Sequence, residues 1–377
     1  MTSKERLLTA WSFKEADRVP IELQISPSAY EYPEASNIVA FIDSEADNFL
    51  HAPGGDFGFF GLKCTYHEEI IEDIPNQYKR IRRSYNTAVG EFDAITKHNY
   101  DEIIPTDFHW ERRYIHTLED MERLTAAPRE KIPLRKDEFV RAVTTIGDRG
   151  VPLVGILHPL GYLVRHANME EVYGWLLTDS KLMHQFLETT NTQIAAAVEA
   201  MSAAGIGPYF FVCAHEMLIP PWMGMRQFDE FVFPYDKMVN DAIRRHGGRL
   251  RIHCHGNCMD YLERFWEMGV DAIEPLEAPP LGNVDLVEAK KRIGDRMLLS
   301  GNIPSHDFVR MTRDEVRTSV KQTLSAAARG GGFTLRTVGG HAATNSVKSK
   351  AQMLKIFDNI EAYIEAGLEF GSYPIKL

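Results

Sequence analysis

Two histidines and two cysteines fall within six residues, His253 to Cys258, of the stretch Arg251-Ile-His-Cys-His-Gly-Asn-Cys258. Two kinds of chemistry use such residues. Neutral imidazoles hold divalent metals, and two of them spaced two apart on a strand project to the same side. Paired thiols support redox exchange, but the Cys-x3-Cys spacing of Cys254 and Cys258 has little mechanistic support. A buried, inert thiol is the ordinary fate of such residues. On a strand, Arg251, His253 and His255 share one face, and Leu250, Ile252 and Cys254 share the other.

The chain around this stretch is regular. From residue 150 onward, strand-like segments (VPLVGIL, YFFVCA, LRIHCH, DAIEPL, MLLSGNI, FTLRTV) alternate with helical ones near 169–204, 226–246, 258–268, 284–292, 312–328 and 346–366. Helices that stop near Gly and alternate with strands predict a parallel sheet with helical crossovers. The number of units and the length of 377 residues predict a closed (β/α)8 TIM barrel spanning 1–377 as one domain. Ser3 reads as the cap of a first helix, and Arg18–Ile25 as the first strand. A small β-hairpin excursion is expected near residues 65–97. In a barrel the aliphatic face of LRIHCH meets the surrounding helices. His253 and His255 then lie at the C-terminal end of a strand, where barrel enzymes keep their chemistry.

The same end of the barrel gathers other candidates. His215 and Glu216 end the preceding strand, and Glu274 and Glu277 end the following one. Glu22 and Gln24 lie on the first strand, His158 follows VGIL, Asn302 lies in SGNI, and Trp222 sits in the loop IPPWMGM. Arg336, in FTLRT, is costly to bury without an anion, so it meets either a substrate carboxylate or one of these glutamates. The third metal ligand is expected from His215 or Glu216. Zinc is the first expectation for such a nitrogen-rich site.

Composition narrows the class of function. A hydrophobic fraction of 44%, a charged fraction of 25% and a formal net charge of −11 describe a globular protein with no bias toward nucleic acid or anionic membranes. Four cysteines are too few for a disulfide scaffold, and the charged N-terminus does not read as a signal peptide, so a reduced, cytoplasmic protein is expected. No apolar run is long enough to predict a membrane span.

The segments MTSKERLLTAWSFKEADRVPIE, RYIHTLEDMERL, HCHGN…GVDAIEPLE and LLSGNIP resemble those of the uroporphyrinogen decarboxylase superfamily. That resemblance implies the same barrel and the same mouth. Within the superfamily the chain looks closer to the corrinoid- or coenzyme M-dependent alkyltransferases than to the true decarboxylases. The latter carry an Arg-rich loop after the Arg-Val-Pro segment, and IELQISPSAYEYPEAS has no Arg. The alkyltransferases bind zinc through His-x-Cys on this strand and a second Cys on the last one. Here the positions fall on His253, His255 and the stretch RTVGGHAA, with His341 two residues beyond Gly339. The resemblance therefore implies a methyl- or alkyltransferase acting on a small organic substrate, with a corrinoid protein or a thiol co-substrate as partner. The expected metal ligands are His253, His255 and His215. Glu216, Glu274 and Arg336 are the expected catalytic groups, and Glu22, Gln24, His158, Trp222, Asn302 and His341 line the substrate pocket. The alternatives are a decarboxylase of a small carboxylated substrate and a non-catalytic binding protein on the same barrel.

Overall fold

The computed structural model describes residues 1–100, 108–339, 341, 342, 344 and 347–377. Its strands are β1 (Ile21–Glu22), β2 (Asn48–Ala52), β3 (Cys64–Ile74), β4 (Tyr78–Thr87), β5 (Gly90–Asn99), β6 (His109–Arg112), β7 (Gly150–Gly155), β8 (Tyr209–Val212), β9 (Arg249–Cys254), β10 (Ala272–Pro275), β11 (Leu298–Ile303) and β12 (Phe333–Thr337). Eight of them pair in parallel in the order β1-β12-β11-β10-β9-β8-β7-β2. With the helices around them they form the (β/α)8 barrel that the alternating pattern predicts.

The two ends of that order, β1 and β2, are joined largely by side chains. Asn48 accepts the Leu23 N–H (3.0 Å) and donates to the Leu23 carbonyl (2.9 Å). Asp47 accepts the Ile21 N–H at 3.0 Å, and Gln24 Nε2 donates to the Phe49 carbonyl at 3.1 Å. Asp47 is itself fully buried and is held by Arg6 (2.6 Å) and Arg18 (2.5 Å).

The N-terminal helix Ser3–Ala10 is capped by Thr2, not Ser3, because Thr2 and Glu5 form a reciprocal capping box. The helix delivers Trp11 to the N-terminal end of the barrel. Trp11 is fully buried against Phe49 and Tyr209, with ring centroids 5.3 and 5.2 Å away. Its Nε1 donates to the Asp271 carbonyl at 3.2 Å, and its own carbonyl accepts from Arg249 Nη1 at 2.7 Å. Leu7, Ala10 and Trp11 join Phe49, Val151, Leu153, Ala272 and Leu298 in an apolar cluster of their own that closes this end.

Further expectations change in detail. The helix read over 169–204 is two, Met169–Thr178 and Ser180–Ala203, broken at Asp179. That read over 226–246 is also two, Met225–Phe231 and Phe233–Arg245. The last helix runs Lys350–Phe370, and the start expected near Ser346 lies outside the described residues. The excursion is larger than a hairpin: β3 to β6 form a four-stranded antiparallel sheet. Cross-strand partners Glu68–Arg83 and Glu69–Arg82 set opposite charges side by side on β3 and β4. An aromatic cluster attaches this sheet to the barrel. Phe59 packs on Tyr85 (4.7 Å) and Tyr114 (5.4 Å), and Tyr114 stacks on His166 (5.9 Å) at the end of the helix Pro159–His166.

Candidate active site at the barrel mouth

Strand alternation sends the polar residues of β9 to the axis, and the structure shows what they meet there. Arg251, 1% exposed, reaches across the barrel to Glu22 on β1, with Nη1–Oε1 at 3.2 Å and Nη2–Oε2 at 2.7 Å. It also lies 3.2 Å from Glu274 Oε2 on β10, and its guanidinium sits 4.2 Å over the Phe49 ring. Arg336 on β12 pairs with Glu22 at 3.0 Å and with Glu274. Thr334 donates to Glu22 and sits 2.6 Å from Ser300. Two guanidinium groups and two carboxylates thus balance in one buried layer. Burial works against the charged form of Glu274, but Arg336 and Arg251 outweigh it and hold its carboxyl well below the usual range. The anion that Arg336 needs is therefore supplied by Glu22 and Glu274.

Beside this layer lies a cavity of about 140 Å³, lined by Gln24, Phe49, His51, Leu153, Phe211, Arg251, Glu274 and Arg336. Nearer the mouth stand the two histidines. His253 Nδ1 lies 3.1 Å from Glu274 Oε1, and His255 Nδ1 lies 2.8 Å from Glu277 Oε1. Glu277 also accepts the Gly256 N–H at 2.7 Å. The two rings meet edge to face with centroids 4.4 Å apart. Burial lowers the pKa of His255, but the Glu277 hydrogen bond and the charges of Glu277, Glu216 and Glu274 more than offset it, and the net shift is upward. One carboxylate oxygen of Glu216, Oε2, is buried with no hydrogen-bond partner.

Two backbone features aim these groups. Ala214 (φ 82°) and Leu276 (φ 58°) are both in the left-handed region that L side chains rarely adopt, just after β8 and β10. Such strain gathers at functional sites. Ala214 starts the 3₁₀ turn His215–Leu218, and Leu276 leads into Glu277.

The turn after Ala214 also separates His215 from the other two histidines. His215 is 1% exposed, and its Nε2 lies 3.0 Å from Asp236 Oδ2 on the helix Phe233–Arg245. His158 joins it there, with Nε2 2.8 Å from the same oxygen and its ring stacked at 4.4 Å on that of His215. The expected trio His253, His255 and His215 is therefore not assembled. Among the described residues, the potential ligand atoms that lie within 4.8 Å of one another are those of His158, His215 and Asp236.

The remaining expected pocket residues divide. Glu22 and Gln24 face the axis. Asn302 does not line the axial cavity, because its side chain donates to the Leu276 carbonyl (3.0 Å) and contacts Thr323 (3.4 Å) on the helix Arg313–Ala327. Trp222 is half exposed and stacks on Tyr173 with centroids 6.1 Å apart. His341 follows β12 in a turn, where its carbonyl accepts the Thr344 N–H at 2.8 Å.

Cys254 is fully buried on the helix side of β9. Burial first, then the neighbouring Cys258 thiol, raises its pKa well above the ordinary value and keeps it a neutral thiol. Sequence reasoning missed Phe49, His51 and Phe211 as pocket walls, although the alternation in NFLHA carries a strand signal for the first two. It also missed Asp236, whose partners come from distant segments.

A parallel barrel with a polar C-terminal mouth, an apolar plug at its other end and a charge-balanced layer between them defines a class of barrel proteins with one open end. The family model for uroporphyrinogen decarboxylase (URO-D) matches residues 110–355, more than half the chain, and the chain belongs to that family. A methyltransferase from Methanosarcina mazei shares the fold end to end: the alignment covers 98% of this chain and 99% of that one, at 17% identity and a TM-score of 0.59. Two other solved structures align less closely. KGPDC from Streptococcus mutans matches at 11% identity over 60% of this chain and 92% of its own, with a TM-score of 0.26. A 3-keto-D-glucoside 4-epimerase from E. coli matches at 16% identity over 62% and 92%, with a TM-score of 0.28. No curated relative matches the sequence.

Proposed function

We propose that the protein is an enzyme that transfers a methyl or other small alkyl group from a small organic donor, at a mouth that binds a divalent cation through His253, His255 and Glu216. The observation that carries this reading is the pair of carboxylate-anchored imidazoles. Each ring is fixed through Nδ1 by its own glutamate, which leaves Nε2 as the free donor. Metal-binding histidines are characteristically oriented by a carboxylate in this way. Glu216, whose Oε2 is buried with no hydrogen-bond partner and whose charge acts on His255, is the proposed third donor, and its carboxylate must close on the two imidazoles as the ion binds, since these three are not yet within ligand reach of one another. A site of two imidazoles and one carboxylate suits zinc or iron, and the ion supplies Lewis acidity to the heteroatom that bears the alkyl group.

The protein's own groups do the rest. Glu274 and Glu277 hold the two imidazoles in place. The Arg251–Glu22–Arg336–Glu274 layer fixes Glu274 from below. Gln24, Phe49, His51, Leu153 and Phe211 shape the cavity for the donor. At about 140 Å³ it is smaller than the roughly 300–1,000 Å³ of pockets for drug-sized ligands, which supports a small substrate. A corrinoid protein is the proposed acceptor partner. The family resemblance and the fold shared with the methyltransferase support alkyl transfer over decarboxylation. So does the lack of Arg in residues 21–36 and the pairing of Arg251 and Arg336 with glutamates, which leaves the axis few free cations for a substrate bearing many carboxylates.

The test is metal content together with turnover. Protein purified without chelator or affinity tag is analysed for metals and offered small O-, N- and S-methylated compounds with cob(I)alamin, with methylcobalamin formation read by absorbance. His253→Ala and His255→Ala are each expected to lose one metal equivalent and the activity together, while Cys254→Ser keeps both. If zinc, iron, cobalt and manganese all fail to bind in a His253-dependent manner, the reading is wrong. Conversion of uroporphyrinogen to coproporphyrinogen would also overturn it.

A further inference from the structure

The cluster behind the mouth is a second polar centre that the proposed reaction does not use. Four segments converge on it. His158 directly precedes the helix Pro159–His166, His215 opens the turn after β8, Asp236 lies on the helix Phe233–Arg245, and Asn191 lies on the helix Ser180–Ala203. All four are at least nine-tenths buried. They line a cavity of about 10 Å³ whose other walls include Ile156, Val212, Val239 and Leu250.

Three observations point to a cation site. First, one donor atom each from His158, His215 and Asp236 lies within 4.8 Å of the others. Tetrahedral bonds of about 2.05 Å put neighbouring ligand atoms roughly 3.3 Å apart, so small adjustments close this set around an ion. Second, the bonded partners of the Asp236 carboxylate are these two imidazoles, and among the described residues no Lys or Arg pairs with it. An ionised carboxylate buried in apolar walls needs a positive partner. Third, the cluster is incomplete as a hydrogen-bonded unit. Asn191 Oδ1, on the wall of the same cavity, is buried with no hydrogen-bond partner. The cavity is about the size of one water, enough for an ion or for an ion-bound water that donates to Asn191 Oδ1.

We propose that His158, His215 and Asp236 bind a structural divalent cation of the zinc type, with Asn191 as the fourth ligand or as the partner of a bound water. This site is separate from the one at His253 and His255. The ion ties the loops after β7 and β8 to two helices of the outer layer. Because Glu216 follows His215 directly, it also fixes the turn that carries a mouth residue.

The experiment uses the full chain bearing both His253→Ala and His255→Ala, so that only the second site remains. Expected are one equivalent of zinc bound after dialysis against zinc, a lower melting temperature after treatment with a strong chelator, and recovery on adding one equivalent of zinc. X-ray absorption at the zinc edge should show nitrogen and oxygen neighbours with imidazole scattering and no sulfur. Adding His158→Gln or His215→Gln should remove that equivalent and the chelator effect. If either added variant fails to fold, stoichiometry and absorption on the His253→Ala, His255→Ala protein decide alone. Absence of stoichiometric zinc or cobalt there, with a melting temperature indifferent to chelator, overturns the proposal and leaves a hydrogen-bonded triad. Sulfur in the first shell also overturns it.

Discussion

Single side chains in this barrel carry sharply different consequences. Arg251 holds Glu22 through both of its terminal nitrogens, deep in the axis. Arg251→Ala leaves Glu22 with Arg336 as its one guanidinium beside the Thr334 hydroxyl, and breaking a buried pair from one side costs roughly 3–5 kcal/mol. Urea unfolding should show that loss, and Arg251→Lys should not restore it, because an ammonium lacks the planar two-pronged donor. The double change Arg251→Met with Glu22→Leu should unfold at a urea concentration closer to the parent's than Arg251→Ala does. His166 gives a pH effect. Burial first, then the charges of Arg165 and Arg113, lowers its pKa to about 4 from 6.5, against a partial opposing effect of its hydrogen bond to the Tyr162 carbonyl. Between those pH values the unfolded chain binds a proton that the folded chain excludes, so stability falls as pH drops from 6.5 to 4. His166→Phe should make the melting temperature fall less steeply over that range. At this scale the sequence was informative wherever strand parity governs. Arg251, His253 and Cys254 lie on the faces that alternation assigns to them. It was uninformative for His158 and His215, because a residue beyond a strand end obeys the turn and not the pleat, and the left-handed Ala214 carries no composition signal.

At the scale of elements, the alternation of strand and helix from residue 150 onward was legible because parallel strands buried on both faces read as apolar runs. The two-residue strand β1 and the strand β2 were harder to read, because part of what holds them in the ring is side-chain bonding that leaves no period in the sequence. Asn48 substitutes for a rung of the ladder, with its amide serving both the N–H and the carbonyl of Leu23. Asn48→Ala should remove two hydrogen bonds and cost about 1–3 kcal/mol. Amide exchange should speed up first at Leu23 and Ile25 and only later at β9 and β10. Uniform exchange across the barrel in that variant would show that the seam is no weaker than the other strand pairs. The breaks at Asp179 and Val232 were not legible, since apolar periodicity continues across both.

The whole molecule is a barrel with one end shut. Trp11 and its apolar neighbours fill the N-terminal end, and Trp11→Ala should cost roughly 3–5 kcal/mol, measured as a lower melting temperature. The N-terminal motif that suggested the family supplies this plug, and the family's fold was the most legible feature of the chain. The grouping of His158, His215 and Asp236 was the least legible, because these residues come together from segments that the sequence keeps far apart. The plug has a kinetic consequence. A vessel stoppered at the base has one doorway, so in the proposed enzyme reactant and product must use it in turn. With room inside for only a small molecule, a second reactant cannot queue behind the first and must wait outside or approach from the rim. Turnover is then a matter of traffic as much as of chemistry. Inhibition by product should be competitive with the donor, and raising the viscosity of the medium should slow the enzyme if departure through that doorway sets the pace.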